Sequence, residues 1–169
     1  DSQTPQGIVA VVQKEEVGEA DFSQGKFLFL EDVQDPGNVG TIIRTADAAG
    51  FTGVIVSDKS ADIYSLKTLR SMQGSHFHLP IYRMSSQALL EKAKKAGISV
   101  LATTLAKDSV DYRELPPIEN FVLVMGNEGQ GISSLMAESA DQLVHISMKG
   151  QAESLNVAVA AGILIFHLS

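Results

Sequence analysis

The sequence predicts an α/β fold in which a mostly parallel sheet is covered by helices on both faces. Short apolar runs alternate with longer helical patterns from about residue 26 to the end of the 169-residue chain. Because the runs are apolar almost without interruption, both faces of each strand are expected to be buried, as in a parallel sheet. A hydrophobic content of 44% and a charged content of 20% are ordinary for one globular domain.

The strands are the short apolar runs, and helical patterns follow them. We expect strands at residues 27–30, 54–56, 99–102, 121–125 and 143–146, and residues 8–12 are a candidate sixth strand. Helices are expected at residues 39–49, 63–72, 86–96, 132–138 and 155–168. Ligands of open parallel sheets bind beyond the carboxyl ends of the strands, so the loops that follow the strands are the expected site.

The first helix is the best specified of these elements. Asp35-Pro36-Gly37 breaks the chain, Asn38 is the expected N-cap and Gly50 is the expected stop. The stripe expected to face the core is Val39, Ile42, Ile43, Ala46 and Ala49, and the opposite face carries Gly40, Thr41, Arg44, Thr45 and Ala48. This outer face is small and nearly uncharged, so either another surface or a substrate lies against Arg44, or Arg44 is an ordinary exposed arginine.

Two later segments combine glycine with polar groups. Residues 126–131 (GNEGQG) lack the lysine of a phosphate loop and do not fit the dinucleotide pattern, so they form either a tight turn or a ligand contact. Residues 154–168 carry no formal charge, so this helix is expected to be enclosed by protein on all sides. Ser154 and Asn156 at its start are either a plain N-cap and a satisfied amide, or contacts to a bound ligand.

The composition excludes several classes of function. Without cysteine the chain has no disulfide or thiolate chemistry, and its 4 histidines lack zinc-type spacing, so no metal site is expected. The net charge of −7 argues against coating nucleic acid through the overall field, although Lys59, Lys67, Arg70 and Arg83 form one local basic stretch. The terminal helix, about 22 Å long, is too short to cross a bilayer comfortably, so no membrane association is expected. We expect a cytoplasmic protein.

Three segments, in this order, resemble the SpoU family of RNA 2′-O-ribose methyltransferases, members of the trefoil-knotted SPOUT class. They are residues 38–46 (NVGTIIRTA), 124–132 (VMGNEGQGI) and 146–161 (ISMKGQAESLNVAVAA), and residues 69–80 are also similar to the family. The resemblance spans nearly everything from Phe27 onward. It implies a C-terminal deep trefoil knot, a catalytic domain at residues 21–169, and a linker or domain start at residues 1–20, following an N-terminal RNA-binding domain that this sequence lacks.

The resemblance also implies a methyl donor, a set of site residues and an assembly. The donor is S-adenosylmethionine, with contacts at Thr103, Thr104, Gly126, Ile146, Met148 and Leu155. The implied catalytic set is Asn38, Arg44, Glu128, Ser154 and Asn156, and the implied RNA contacts are Lys67, Arg70 and Ser71. Arginine is a poor base, so Arg44 either holds an RNA phosphate or acts as base only after desolvation beside a phosphate. A homodimer is expected, with the first-motif helix and the last helix near its interface, and no metal is needed.

Three hypotheses for the function remain. The first is methyl transfer from S-adenosylmethionine to a ribose 2′-hydroxyl of structured RNA, with ribosomal RNA favoured over transfer RNA. The second is a catalytically weak RNA-binding or assembly module that retains the knotted fold, and the complete catalytic set argues against it. The third is a small-molecule nucleotide-binding enzyme; Asp58 follows the second strand as such an enzyme requires, but the glycine pattern before it is missing.

Overall fold

Seven strands form one all-parallel sheet at the centre of the protein. The computed structural model describes residue 7, residues 10–13 and residues 17–169. Within these residues the strands are β1 (Lys26–Leu30), β2 (Gly53–Val56), β3 (Ile81–Arg83), β4 (Ser99–Thr103), β5 (Val110–Asp111), β6 (Phe121–Met125) and β7 (Gln142–His145). Their order across the sheet is β3-β2-β1-β6-β4-β7-β5, and every pairing is parallel. The predicted α/β class is confirmed.

Helices cover both faces of this sheet, as predicted. They are α1 (Pro36–Ala48), α2 (Leu66–Met72), α3 (Ser86–Ala96), α4 (Ser134–Ser139) and α5 (Val157–Leu168). Buried residues of α1, α2 and α5 share one hydrophobic cluster with the strands, and those of α3 and α4 share a second cluster. The sheet therefore separates two cores. The deep trefoil knot stays a prediction.

Strand β1 illustrates why the strands read as continuous apolar runs. Leu28 and Leu30 belong to the cluster of α1, α2 and α5, whereas Phe27 and Phe29 belong to the cluster of α3 and α4. Successive side chains of a strand point to opposite faces, so a strand with a core on each side needs apolar residues at every position. Burying each such side chain contributes roughly 1.5–3 kcal/mol.

The two edge strands are absent from the sequence-based prediction. Strands β3 and β5 have 3 and 2 residues and end in the charged Arg83 and Asp111, so neither carries an apolar run. Of the candidate strand at residues 8–12, Ile8 and Val9 lie outside the described residues. Residues 10–12 belong to no strand, so the prediction is wrong for the part that is described.

Capping side chains account for most differences at the helix starts. Helix α1 starts at Pro36, and Asp35 Oδ1 accepts a hydrogen bond of 2.9 Å from the backbone N–H of Asn38. The predicted N-cap at Asn38 is therefore wrong. The caps of α2, α4 and α5 are Ser65, Ser133 and Asn156. Gly50, the predicted stop of α1, adopts the left-handed conformation at φ 73°.

One residue that was predicted on the outer face of α1 is buried. Gly40 is buried, because α2 packs directly on it. A Cβ at this position would lie 2.5 Å from Ser71 Cβ and 2.6 Å from the carbonyl oxygen of Thr68. Thr41 and Arg44 are exposed, as the pattern predicts. Gly40 thus allows α1 and α2 to pack closely. Because α2 covers Gly40, the exposed surface of α1 is narrower than predicted.

Helix α5 is not enclosed on all sides in the single chain. Val157, Ala161, Leu164 and Ile165 are buried, but the side chain of Val159 is 53% exposed and that of Phe166 is 58% exposed. The expectation of complete burial is therefore wrong for the chain taken alone. No helix within the described ranges has the length and hydropathy to cross a membrane.

Candidate functional site

The loops after four adjacent strands meet at one edge of the sheet and form a cleft. Strands β1, β6, β4 and β7 are neighbours, so their carboxyl ends lie side by side. The loops after β6, β4 and β7 line a cleft of about 510 Å³. All six predicted donor contacts lie on its wall: Thr103, Thr104, Gly126, Ile146, Met148 and Leu155.

The glycine loop after β6 is both a tight turn and a wall of the cleft. Asn127 and Gly131 exchange two backbone hydrogen bonds of 2.9 Å each, and Asn127 Oδ1 accepts from the N–H groups of Gly129 and Gln130. Gly126 lies against this turn, and a Cβ there would collide with the backbone of Gly131. The interpretation of residues 126–131 as a tight turn is confirmed. The ligand contact stays a prediction, and the turn places glycine backbone along the cleft where such a contact would lie.

The two threonines after β4 fasten the cleft to the sheet. The hydroxyl of Thr103 donates a 2.9 Å hydrogen bond to the carbonyl of Val124 in β6. The N–H of Thr104 donates at 2.9 Å to the carbonyl of Val144 in β7. Thr104 Oγ1 accepts from the N–H of Ala106 at 3.2 Å and so shapes the following loop. These bonds connect all three strands that border the cleft.

Three members of the predicted catalytic set form one chain of hydrogen bonds. The amide Nδ2 of Asn38 donates to Glu128 Oε1 at 3.2 Å, and Asn38 Oδ1 accepts from Asn156 Nδ2 at 3.1 Å. The side-chain Oδ1 of Asn156 accepts from the N–H groups of Ala158 and Val159, which fixes its amide at the start of α5. Asn38 can bridge the other two because an amide both donates and accepts.

Glu128 is held as a carboxylate by the donors around it. Its partial burial would raise the pKa of the carboxyl group. The hydrogen bonds that it accepts from its own backbone, from Asn38 and from the N–H groups of Asp35 and Gln34 outweigh burial, so the pKa of Glu128 lies below its ordinary value. A carboxylate with a lowered pKa is a weak base, so this group is better suited to orienting its neighbours than to removing a proton.

Ser154 and Arg44 lie apart from this chain of contacts. Ser154 lines the cleft, and its exposed hydroxyl has no hydrogen-bond partner among the described residues. The alternative that Ser154 is the N-cap of the last helix is wrong, since Asn156 fills that role. Arg44 is exposed on α1, six residues beyond Asn38, and it makes no hydrogen bond or ion pair within the part of the chain that is described. The single chain therefore does not bring Arg44 to the other four residues.

The predicted RNA contacts all belong to α2 but differ in their surroundings. Lys67 Nζ donates at 2.8 Å to Asp35, the cap of α1, and this contact is the main cause that lowers the pKa of Asp35. Ser71 packs on Gly40, and its hydroxyl bonds back to the carbonyl of Lys67 at 2.9 Å. Arg70 is exposed and its guanidinium has no partner within the described ranges. Of the three side chains, that of Arg70 alone is free of hydrogen bonds and ion pairs to other described residues.

Glu31, a buried carboxylate at the carboxyl end of β1, is a residue that the sequence-based prediction omits, and it supports the cleft without lining it. Its carboxylate accepts from Ser86 Oγ at 2.5 Å, from Ser133 Oγ at 2.8 Å and from the N–H of Ser133 at 2.8 Å. It thereby ties the end of β1 to the first turns of α3 and α4, just beyond the glycine loop. An acidic residue directly after four buried apolar residues, at the carboxyl end of a strand, is the signal that would have identified it.

Asp35 is the second omission, and it has a local signal. Its carboxylate caps α1 by accepting a hydrogen bond from the N–H of Asn38, and it also accepts one from Lys67 Nζ. An aspartate immediately before a proline that opens a helix is a recognisable N-terminus. Among the described residues, no group of three or more His, Cys, Asp or Glu side chains is arranged to hold a metal ion.

Comparison with known proteins gives one family and several similar chains. The model of the SpoU rRNA methylase family matches residues 25–166. A 23S rRNA (guanosine(2553)-2′-O)-methyltransferase of Bacillus subtilis, RlmP, is 46% identical over 168 residues, which cover 99% of this chain and 66% of the relative.

Solved structures agree with this match. The AdoMet-bound rRNA methyltransferase from Sinorhizobium meliloti has a TM-score of 0.81 and 44% identity, over 85% of this chain and 55% of that one. The SpoU methyltransferase AviRb from Streptomyces viridochromogenes, in complex with AdoMet, has a TM-score of 0.78 and 34% identity, over 88% of this chain and 60% of that one. The present chain thus spans about two thirds of the first relative and somewhat more than half of these structures.

Proposed function

The chain belongs to the SpoU rRNA methylase family, and on this premise we propose that it transfers a methyl group from S-adenosylmethionine to a ribose 2′-hydroxyl of RNA. One observation carries the proposal: the six residues implied as donor contacts share one cleft, and Glu128 joins that cleft to the hydrogen-bonded Asn38 and Asn156. Two solved structures of similar chains are described as bound to AdoMet.

The cleft has the size and lining that the donor requires. Its volume of about 510 Å³ lies within the usual range for small-ligand sites. Apolar side chains such as Ile132, Ile146 and Leu155 suit an adenine ring, while the glycine loop offers closely approaching backbone for polar groups. When bound, S-adenosylmethionine supplies a methyl group on a sulfonium sulfur, which a nucleophilic oxygen can accept without a metal.

The catalytic residues divide into orienting groups and a phosphate clamp. Glu128, Asn38 and Asn156 form a rigid polar row beside the cleft, which suits the orientation of a ribose hydroxyl toward the donor. Ser154, with its unpartnered hydroxyl on the cleft wall, is a further contact for substrate or donor. Arg44 acts as the clamp for an RNA phosphate: its exposure supports this role over that of a base, because loss of its proton would require desolvation.

Ribosomal RNA is the proposed substrate, with transfer RNA as the alternative. The Bacillus relative is named for methylation of 23S rRNA and the Sinorhizobium structure for rRNA methylation, which supports the first. Arg70, with Lys67 and Ser71 beside it on α2, is the proposed RNA-contacting surface outside the cleft. Residues 21–169 form the proposed catalytic domain, and RNA affinity is expected to depend on a further RNA-binding domain, since the chain has a net charge of −7. A ribosomal substrate would be met in the cytoplasm.

A homodimer through α1 and α5 is the proposed assembly. Val159, Ile163 and Phe166 lie along one face of α5, at positions three or four residues apart, and Val159 and Phe166 are exposed. Helix α5 packs beside α1, so both helices belong to one surface. A twofold contact across this surface would bury the apolar face of α5. It would also set Arg44 of one subunit near the catalytic set of the other subunit, which its own Arg44 does not join.

Calorimetric titration with S-adenosylmethionine, followed by methyl transfer to transcribed rRNA and tRNA, tests this function. We expect donor binding and a ribose methylation that blocks alkaline cleavage at one nucleotide. Leu155→Lys, at a partly exposed position on the cleft wall, should weaken donor binding about tenfold or more by adding a cation and removing an apolar contact.

The matched control is Leu135→Lys, at a partly exposed position on α4 that does not line the cleft; it should bind the donor as the wild type does. A folded protein that does not bind the donor would contradict the proposed function. Donor binding without methylation of any RNA would favour the RNA-binding module instead.

A further inference from the structure

A second polar cluster borders the cleft and joins two of its loops. His145, the last residue of β7, lines the cleft. Its Nδ1 lies 2.9 Å from Ser109 Oγ, in the loop after β4, and its Nε2 lies 3.2 Å from Ser147 Oγ, in the loop after β7. These two loops also carry Thr104 and Met148, two of the proposed donor contacts. One imidazole ring therefore connects the loop after β4 with the loop after β7.

The hydrogen bonds of the two serines determine which ring nitrogen must donate. The hydroxyl of Ser147 donates to the carboxylate of Asp111, so its contact with the ring requires an N–H at Nε2 of His145. Nδ1 contacts the hydroxyl of Ser109, whose oxygen lies within hydrogen-bond distance of both the carbonyl of Ala106 and the ring. The ring therefore joins two serines whose hydroxyls are also bonded elsewhere in the protein.

The groups around Asp111 hold its carboxyl group in the ionised form. Arg113 donates to both carboxylate oxygens of Asp111, at 2.7 Å and 2.8 Å, and this contact with that from Ser147 holds the pKa of Asp111 far below its usual range. Asp111 is therefore ionised and can only accept. Because the hydroxyl hydrogen of Ser147 goes to Asp111, Ser147 Oγ can only accept from His145. On the cleft side, Glu128 is the other titratable group in the lining.

We propose that His145 is a positioning residue for donor binding, holding the loops after β4 and β7 together through Ser109 and Ser147. The proposal rests on the proposed function, because it takes the cleft to be the donor site. Without the ring, neither serine would be connected to the other loop. The loops that carry Thr104 and Met148 would then be less well ordered before the donor enters.

Donor titrations of four variants test the coupling through the ring. His145→Gln keeps a polar side chain but lacks the two separate ring nitrogens that contact the two serines. We expect it to weaken S-adenosylmethionine binding about tenfold, and Ser109→Ala to weaken it severalfold, because each change removes hydrogen bonds that join the two loops. The double variant should bind the donor no more weakly than His145→Gln alone, because both changes remove the same contact.

His78→Gln serves as the matched control, since His78 contacts Asp47 at 3.2 Å on α1, away from the cleft, and this variant should bind the donor as the wild type does. Thermal unfolding of all four variants verifies that they are folded. Nitrogen-resolved NMR of the histidine side chains in the wild type shows which ring nitrogen carries a proton. We expect a proton on Nε2 of His145, which donates to Ser147.

Two results would overturn the inference: an Nε2 of His145 that carries no proton, or a folded His145→Gln variant that binds the donor as tightly as the wild type. Additive effects of His145→Gln and Ser109→Ala on the binding free energy would contradict the shared contact. Failure of the proposed function looks different, because the wild type itself would then bind no donor, and that result would overturn both proposals.

Discussion

Asn38 illustrates how single side chains organise this site. It stands between a carboxylate and a second amide, donating to Glu128 and accepting from Asn156. An aspartate in its place could only accept and would face Glu128 with a like charge, whereas an aliphatic side chain would leave both neighbours without a partner. The amide is therefore required by the contacts on both sides. At the residue scale, the site depends on groups whose donor and acceptor roles are complementary.

Asp111 gives the residue-scale prediction, which concerns acid. Its pKa is lowered in the folded protein by Arg113 and Ser147, so its ionised form contributes stability above the pKa of about 3.9 of an unfolded aspartate. That contribution is lost as the pH falls below this value toward the lower pKa of the folded state. The unfolding free energy of the wild type should therefore fall more steeply between about pH 5 and pH 2.5 than that of Asp111→Asn.

Urea unfolding at a series of pH values measures this difference. Asp108→Asn, which removes the same charge from an exposed position in the preceding loop, is the control and should follow the wild type. Parallel curves for Asp111→Asn and the wild type would show that the cluster does not stabilise the fold through its charge.

At the scale of elements, helix α1 connects several parts of the site. Its N-terminal turn holds Asn38, its cap Asp35 binds Lys67 of α2, and its buried Gly40 lies under Ser71. The helix contacts both α2 and α5. Its apolar spacing alone specifies where the helix lies, but its outer surface is defined by the two helices that pack beside it.

Two helical glycines provide a matched pair for the element-scale prediction. Gly40→Ala should destabilise the protein by about 1–2 kcal/mol, because overpacking against α2 exceeds the gain in helix propensity. Gly162→Ala in α5, where nothing lies within 4 Å of a Cβ, should stabilise the single chain by about 0.5–1 kcal/mol.

Denaturant unfolding of both variants checks the pair. Equal effects would contradict the close approach of α1 and α2. A loss of stability in Gly162→Ala that depends on protein concentration would place a second copy against α5 at that position.

At the scale of the whole molecule, the single chain joins only part of the catalytic set. Glu128, Asn38 and Asn156 are connected, whereas Arg44 is exposed on α1 without a partner in the described structure. Six residues of helix separate Arg44 from Asn38, a rise of about 9 Å. The apolar face of α5 is exposed in the same chain. Association of two copies through this surface would bury the apolar face of α5 and would also bring Arg44 to the catalytic set of the other copy.

Subunit mixing tests whether the site is shared. Arg44→Ala and Asn156→Ala should each reduce methyl transfer strongly as homodimers. Mixed after reversible unfolding, they should recover about a quarter of the wild-type activity, because half of the dimers formed would be mixed and each would contain one complete site. If Arg44 acts within its own subunit, mixing restores nothing.

Light scattering accompanies the mixing test. The wild type should have about twice the chain mass of 18.0 kDa. Phe166→Asp should yield monomers and abolish complementation, while Phe77→Asp, which alters a side chain that is 70% exposed on another part of the surface, should remain dimeric. A monomeric wild type would contradict the proposed assembly.

The sequence by itself determined the class of this protein: an α/β fold with a parallel sheet, the glycine loop at residues 126–131 and the positions of most helices. These depend on neighbours a few residues apart, through strand alternation, helical spacing and turn chemistry, so local patterns contain them. The same patterns missed β3 and β5, whose edge positions require no apolar run, and chose the wrong cap for α1.

Only the tertiary structure decided which groups meet. Asn38 contacts Glu128 across 90 residues of sequence and Asn156 across 118, and both contacts exist because β1, β6 and β7 end at one edge of the sheet. The ring of His145 meets Ser109 for the same reason, across 36 residues. Strand order is set by the long-range packing of two cores, and this information is distributed over the whole chain instead of residing in any motif.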